Sequence, residues 1–312
     1  MVGTLVIVNP NASQTRDQGV RRALTQQLED VLADRDGIPP RIVETVSQDE
    51  TRPLVEAALS DGVAAVVGVG GDGTMRDIAA GLMGSGVPLG IIPAGTGNQV
   101  AAVLRIPLSL DGAAAALSTE EQRTIDLGEV TVTLTDGQAS TSIFIIGCGA
   151  GFDARLMATT PSGLKQKIGK SAYVAQAVKL AMEIEATPCR LTVDEQVIET
   201  DASIALIGNM GEVVPGVMGL RLPIDPTDGL LDLIAVGAHG PVHGMKGLAD
   251  QLMRTALGGE SGSDSIRLRG RQITIEAVHP APLEVDGDYV GEGSLAARVL
   301  PRAVDVLVPR AG

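Results

Sequence analysis

VAAVVGVGGDGT, residues Val63–Thr74, is the stretch on which the fold turns. Small and β-branched apolar residues run unbroken and then stop in glycines. That is how a buried parallel strand reads when it feeds a tight turn ahead of a helix. Glycine permits positive φ and lets main-chain N–H groups approach a ligand closely. The helix expected to open at about Thr74 would aim its unpaired N–H groups and positive dipole end at the same point, so the turn suits a phosphate. PAGTGN, residues Pro93–Asn98, repeats the arrangement, with the apolar run Val87 to Ile92 before it and the apolar stretch Val100 to Leu104 after it. Two such turns on neighbouring strands would face one crevice.

Other readings of these glycines fail on spacing. Gly68-x-Gly70-x-x-Gly73 formally matches a dinucleotide fingerprint, which needs an acid at the end of the next strand, roughly 20 residues on. The next strand ends at Ile92-Pro93 without one. A P-loop needs Gly-x4-Gly-Lys-Ser/Thr after a strand; Gly163 to Gly169-Lys170-Ser171 has one residue too many and no strand before it. Tight turning alone would explain glycine, but not glycine, acid and threonine together in one turn and glycine with threonine again in the next.

Around this centre the first half alternates strand and helix. Thr4 to Val8 is a short strand ending in the turn-forming cluster Asn9-Pro10-Asn11-Ala12-Ser13. Val20 to Leu32 has helical spacing, Arg41 to Val46 reads as a strand, and Asp49 to Leu59 as a helix capped by Ser47 or Asp49. This βαβα order predicts an α/β domain with a parallel sheet and ligands at the carboxyl ends of its strands, where Thr45 sits. After Ser109 an alanine-rich helix reaches Leu117, and then the pattern changes. Arg123 to Leu134, Thr141 to Ile146, Arg190 to Val193, Ser203 to Ile207, Leu230 to Val236, Ile266 to Leu268 and Ile273 to Ala277 are short, often alternating runs between turn residues. They predict an antiparallel β-rich second domain. The boundary is expected near Ile125, dividing residues 1–125 from 126–302. Helical interruptions are expected at Lys170 to Glu185 and Val242 to Leu257, and Gly147-Cys148-Gly149-Ala150-Gly151-Phe152-Asp153-Ala154 reads as a flexible turn into a helix.

Two acidic clusters stand in the second half. Asp225-Pro226-Thr227-Asp228-Gly229-Leu230-Leu231-Asp232 gathers three carboxylates about a Pro/Gly turn. It suits either an exposed turn or a hard cation taking carboxylate, carbonyl and water oxygens. Leu283-Glu284-Val285-Asp286-Gly287-Asp288 reads as a strand entering a hairpin turn. A carboxylate on such a turn can also accept the proton of a hydroxyl within hydrogen-bond reach, a role Asp286 suits with Asp288 supporting it. His239-Gly-Pro-Val-His243 has i, i+4 spacing, but Gly240 and Pro241 spoil a helical metal face, and Tyr173 reads as core.

Composition sets the class. The 312 residues are 44% hydrophobic and 20% charged, enough for a sizeable core, and the formal charge of -14 opposes non-specific binding of nucleic acid or broad adhesion to an anionic bilayer. Two cysteines, Cys148 and Cys189, are too few for a disulfide scaffold. The opening MVGTLVIVNP lacks the basic region of a signal peptide, and no 18 consecutive residues are apolar, so the expected location is the cytoplasm and any membrane contact would have to be local and apolar.

Gly70-Gly71-Asp72-Gly73-Thr74 followed by Pro93-Ala94-Gly95-Thr96-Gly97-Asn98 resembles the diacylglycerol kinase catalytic domain family, which includes bacterial lipid kinases and sphingosine kinases. The first motif alone is shared with NAD kinases and phosphofructokinases. The resemblance implies an ATP-dependent, Mg²⁺-requiring lipid kinase with an α/β nucleotide-binding domain and a β-rich lipid-binding domain, the last strand, Ala303 to Val308, returning to the first. It implies nucleotide contacts from Asn9, Pro10, Asn11, Ala12, Ser13 and Thr45. Gly70, Gly71, Gly73, Thr74, Gly95, Thr96 and Asn98 would cradle phosphates, and Asp72 would orient Mg²⁺. It further implies a structural Mg²⁺ held by Asp225, Asp228 and the carbonyl of Leu230, and a base in the Asp286-Gly287-Asp288 turn, where Asp288 replaces the usual glutamate. Arg76 and Gln99 depart from the asparagine and acid often found there. The partners implied are ATP and a lipid met transiently at a membrane surface; a homodimer is compatible with this. A kinase of a soluble nucleotide or sugar, and an inactive nucleotide-binding regulator on the same scaffold, are the alternatives.

Overall fold

The computed structural model describes residues 2–45, 50–118, 120–151, 186–211, 224–237 and 265–310. The expected helices at 170–185 and 242–257, the His239 and His243 pair, Tyr173 and the candidate caps Ser47 and Asp49 lie outside these residues. The chain divides into two compact units, one of residues Met1–Leu127 with Pro301–Gly312 and the other of Gly128–Leu300.

The first unit is an α/β domain built on parallel strands β1 (Val2–Val8), β2 (Arg41–Glu44), β3 (Val63–Gly70) and β4 (Leu89–Pro93). Their spatial order is β4-β3-β1-β2, and beyond β4 lies the end of the last strand, β14 (Asp288–Pro309), paired in parallel through Val306 with Leu89. The chain runs from β1 outward to β2 and then returns to the other side of β1 as β3. The order therefore reverses between β1 and β3, and such a reversal opens a crevice at the carboxyl ends of the strands. β3 has seven of its eight residues buried, as its uninterrupted apolar sequence requires.

Helix α1 (Gln18–Asp36) buries Leu24, Leu28 and Leu32, spaced four apart on one face. The Asp17 side chain caps its start by accepting the Val20 N–H, and Gly37 in the left-handed region ends it. α2 (Thr51–Ser60), α3 (Asp72–Leu82), the five-residue α4 (Gln99–Val103) and α5 (Leu110–Ala116) follow. α3 starts at Asp72, two residues before the expected Thr74, which brings the acid into its first turn. Ser109 caps α5 by accepting the Gly112 N–H.

The second unit is β-rich and antiparallel. Strands β12 (Ser265–Gly270), β11 (Leu231–Val236), β10 (Ile204–Gly208), β7 (Gly147–Gly151) and the end of β13 (Gln272–Val285) lie side by side in that order. The first half of β13 pairs instead with β8 (Thr187–Val193), itself paired with β9 (Gln196–Ala202). Between Glu276 and Ala281 the register of β13 on β14 shifts, and this irregularity carries the strand from one set of partners to the other. β5 (Glu120–Leu134) forms a hairpin with β6 (Ala139–Phe144). Phe144, Leu191, Ile207, Leu231, Leu233 and Leu283 lie in the core of this unit.

Gly147–Gly151 corrects one expectation: it is a strand, buried through Ala150, where a flexible turn was expected, and the helix expected to follow lies outside the described residues. A Cβ at Gly147 would lie 2.6 Å from the Ile207 carbonyl oxygen, and one at Gly149 would lie 2.6 Å from Leu206 Cδ2. These glycines serve close strand approach. β9 was not expected at all; its QVIETDA sequence exposes polar residues on both sides of a short apolar pair.

Candidate active site

Three loops meet at the carboxyl ends of β1, β3 and β4. The loop after β1 is fastened to the turn after β4: Gln14 N–H donates to the Ala94 carbonyl (3.0 Å), Ser13 Oγ donates to the same carbonyl (3.1 Å), and Gln14 Nε2 donates to the Pro93 carbonyl (3.2 Å). Asn9 N–H donates to the Val69 carbonyl (2.9 Å) and Asn9 Nδ2 to Thr74 Oγ1 (3.2 Å), which joins the loop to the glycine turn as well. Thr15, fully buried, closes the loop on itself through the Asn9 carbonyl at 2.6 Å. Gln14 and Thr15 are site residues that sequence reasoning missed, since neither type nor spacing distinguishes them from other polar loop residues.

The two glycine turns touch main chain to main chain. A Cβ at Gly95 would stand 2.5 Å from Gly71 Cα, closer than any side chain tolerates. The second turn is shaped by Asn98, whose φ is 54° and whose side chain accepts the Gly95 N–H (2.9 Å) and donates to the Gly95 carbonyl (3.0 Å). Asn is among the few non-glycine residues suited to that conformation.

Asp72 fastens one turn to the other. Its Oδ1 accepts the Val100 N–H at 3.0 Å, and the main-chain N–H groups of Gln99 and Asn98 also favour its charge. Burial outweighs them and holds the carboxyl above its ordinary 3.8. The donors at the start of α4 are thereby engaged by Asp72, so the second turn does not repeat the first as a helix-end anion site. The start of α3 has no side-chain cap, which leaves it suited to an anionic ligand. Thr74 is buried beside Asn9, and Thr45 is buried with its N–H and hydroxyl both directed to the Val8 carbonyl. Arg76 pairs with Asp77 at 3.1 Å. Gln99 is buried, and its Oε1 has no hydrogen-bond partner among the described residues.

In the second unit, Asp286 and Gly287 form the two-residue turn between β13 and β14, both with positive φ (49° and 81°), as such a turn requires. The Asp286 carboxylate accepts three main-chain N–H groups: Ile145 on Oδ2 (3.1 Å), Ile146 on Oδ1 (2.9 Å) and Gly147 on Oδ1 (3.1 Å). Glu284 is buried and accepts the Gly287 N–H (2.7 Å). Asp288 is exposed at the start of β14.

The acidic element 224–232 is organised by its own turns and by arginines of β12. Asp225 Oδ1 accepts the Thr227 N–H (3.0 Å) and hydroxyl (2.7 Å), and Asp228 Oδ1 accepts the Leu230 N–H (3.0 Å). Asp228 Oδ2 pairs with Arg269. Asp228, expected to hold Mg²⁺ with Asp225 and the Leu230 carbonyl, does not fit that ion, because a guanidinium already stands on its Oδ2.

The family model of the diacylglycerol kinase catalytic domain matches residues 3–130, and that of the YegS C-terminal NAD kinase beta sandwich-like domain matches residues 147–308. A Pseudomonas aeruginosa protein named "Probable lipid kinase YegS-like" is 31% identical over 309 residues, covering 97% of this chain and 94% of its own. A Synechocystis protein without assigned function is 27% identical over 257 residues, 81% of this chain but 57% of that protein, so the chain spans little more than half its length. Among solved structures, a diacylglycerol kinase from Bacillus anthracis shares the fold with a TM-score of 0.70 at 21% identity, over 98% of this chain and 96% of that one. Yeast NADH kinase shares it more distantly, with a TM-score of 0.51 at 11% identity, over 99% of this chain and 84% of that one. Among the described residues no helix is long and apolar enough to cross a membrane.

Proposed function

Because the chain belongs to the YegS-like lipid kinases of the diacylglycerol kinase catalytic domain family, we propose that it transfers the γ-phosphoryl group of ATP to the hydroxyl of a lipid such as diacylglycerol. The observation that carries the nucleotide half is the uncapped start of α3 at the β1/β3 reversal, with Gly71 packed against Gly95. Main-chain donors in the Gly70–Thr74 turn bind phosphate oxygens, Asn9 holds the Thr74 hydroxyl in place, and Thr96 in the second turn contacts the same phosphates. Asp72 keeps the turns in register and orients the Mg²⁺ that accompanies the nucleotide. When bound, that ion neutralises charge on the transferred group.

The hydroxyl must lose a proton as it attacks. The sequence favours Asp286 as acceptor, but its oxygens receive three N–H groups that hold the Ile145–Gly147 main chain. That is the work of a positioning residue. We therefore assign proton acceptance to Asp288, exposed two residues on, and support of the turn to Asp286. The lipid is reached from a membrane surface by transient peripheral contact.

Incubation with radiolabelled ATP and a panel of extracted lipids tests this reading. Label on a lipid supports it; label on a soluble nucleotide or sugar replaces it with a soluble-acceptor kinase; tight ATP binding without transfer replaces it with a regulator. Asp288→Asn is expected to abolish transfer and spare ATP affinity, whereas Asp286→Asn lowers turnover and unfolding temperature together. Retained turnover in Asp288→Asn would remove that residue as the proton acceptor.

A further inference from the structure

Strands β11 and β12 carry a charge cluster for which the proposed transfer has no use. Asp232 of β11 stands opposite Arg269 of β12, and Ile234 stands opposite Arg267, so both guanidinium groups lie on the face of the sheet that bears Asp232. Asp232 is fully buried. Its Oδ1 accepts Arg267 Nε (3.0 Å) and Nη2 (2.8 Å), and its Oδ2 accepts Arg269 Nε at 3.3 Å. The Nη2 of Arg269 continues to Asp228 Oδ2, so one guanidinium spans the buried carboxylate on the strand and the carboxylate in the turn before it.

A divalent cation at this turn would need Asp228 Oδ2 together with several further oxygens, Mg²⁺ demanding near-octahedral coordination at about 2.0–2.1 Å. Arg269 excludes it twice, by occupying the oxygen and by placing a permanent positive charge beside it. Asp225 is turned to its own loop, its Oδ1 taking both the N–H and the hydroxyl of Thr227. We infer that Arg269 substitutes for a divalent cation at Asp228, so that this chain holds its 224–232 element by a guanidinium bridge and binds no metal there. The element then keeps its shape under chelation, whatever the lipid or nucleotide chemistry elsewhere.

The test uses the full chain, nucleotide-free and stripped with EDTA, and measures no catalysis. Unfolding midpoints are followed against Mg²⁺, and Mn²⁺ binding is followed by electron paramagnetic resonance, for wild type, Arg269→Gln and Asp228→Asn. Wild type and Asp228→Asn are expected to respond to metal alike. Arg269→Gln is expected to unfold at a lower temperature in EDTA and to recover by a few degrees at roughly 100-fold excess of metal over its dissociation constant. A metal-dependent rise or a Mn²⁺ signal in wild type that Asp228→Asn removes overturns the proposal. So does an Arg269→Gln protein whose lowered midpoint no metal restores. If Arg269→Gln does not fold, the wild-type and Asp228→Asn titrations alone still decide whether Asp228 binds metal.

Discussion

Asp72 is placed where stability and ligand binding oppose each other. Its carboxyl is enclosed, and burial raises it above the 3.8 it has when the chain is unfolded, so the folded state prefers it protonated. The cost of charging it is absent below 3.8 and grows as pH rises through its raised value. Asp72→Asn keeps an acceptor for the Val100 N–H but cannot charge. Its unfolding temperature relative to wild type is therefore expected to rise from pH 4 to pH 7, while its affinity for Mg²⁺-ATP falls; thermal scans at the two pH values and calorimetric titration measure both. Gly95→Ala is the complementary case. A methyl 2.5 Å from Gly71 Cα meets main chain that cannot swing aside, and the expected loss is about 1–3 kcal/mol by urea unfolding, with weaker nucleotide binding. The glycines and Asp72 stand out in the sequence because their residue types are rare together. The Asp72 bond to Val100 does not, because it joins turns 28 positions apart and exists only once β3 and β4 lie side by side.

Elements with a strong period were legible, and elements decided by close approach were not. The α1 face of Leu24, Leu28 and Leu32 is plain in the spacing, and Leu28→Ala should cost about 2–5 kcal/mol in chemical unfolding, because the side chain is wholly enclosed. β7 gave the opposite experience. Its glycines suggest a turn on conformational freedom alone, and only the carbonyl of Ile207, on β10, explains why a strand uses them. The usual sign of a substitution reverses there: a glycine inside a strand ordinarily costs roughly 0.5–1 kcal/mol against alanine. Gly147→Ala should instead lower the unfolding temperature, since its methyl would fall 2.6 Å from that carbonyl oxygen. β12 reads as a strand in the sequence, but its two arginines do not stand out there, since their partner, Asp232, lies 35 residues earlier for one and 37 for the other.

At the scale of the whole molecule, 38 acidic residues against 24 basic ones leave a field that repels anionic surfaces. Sedimentation with lipid vesicles should show weaker binding to anionic than to zwitterionic bilayers, the difference shrinking as salt screens the repulsion. The division of the chain falls inside β5 and β14, and the first unit includes residues 301–312. During synthesis, then, the ribosome has delivered β1 to β4 long before it delivers the strand that pairs with Leu89. Until those residues emerge, the β4 margin is a bare strand border able to recruit a neighbouring nascent chain. A protein stalled or clipped before Pro301 is thus a candidate for chaperone capture, even though every nucleotide-turn residue has already been made.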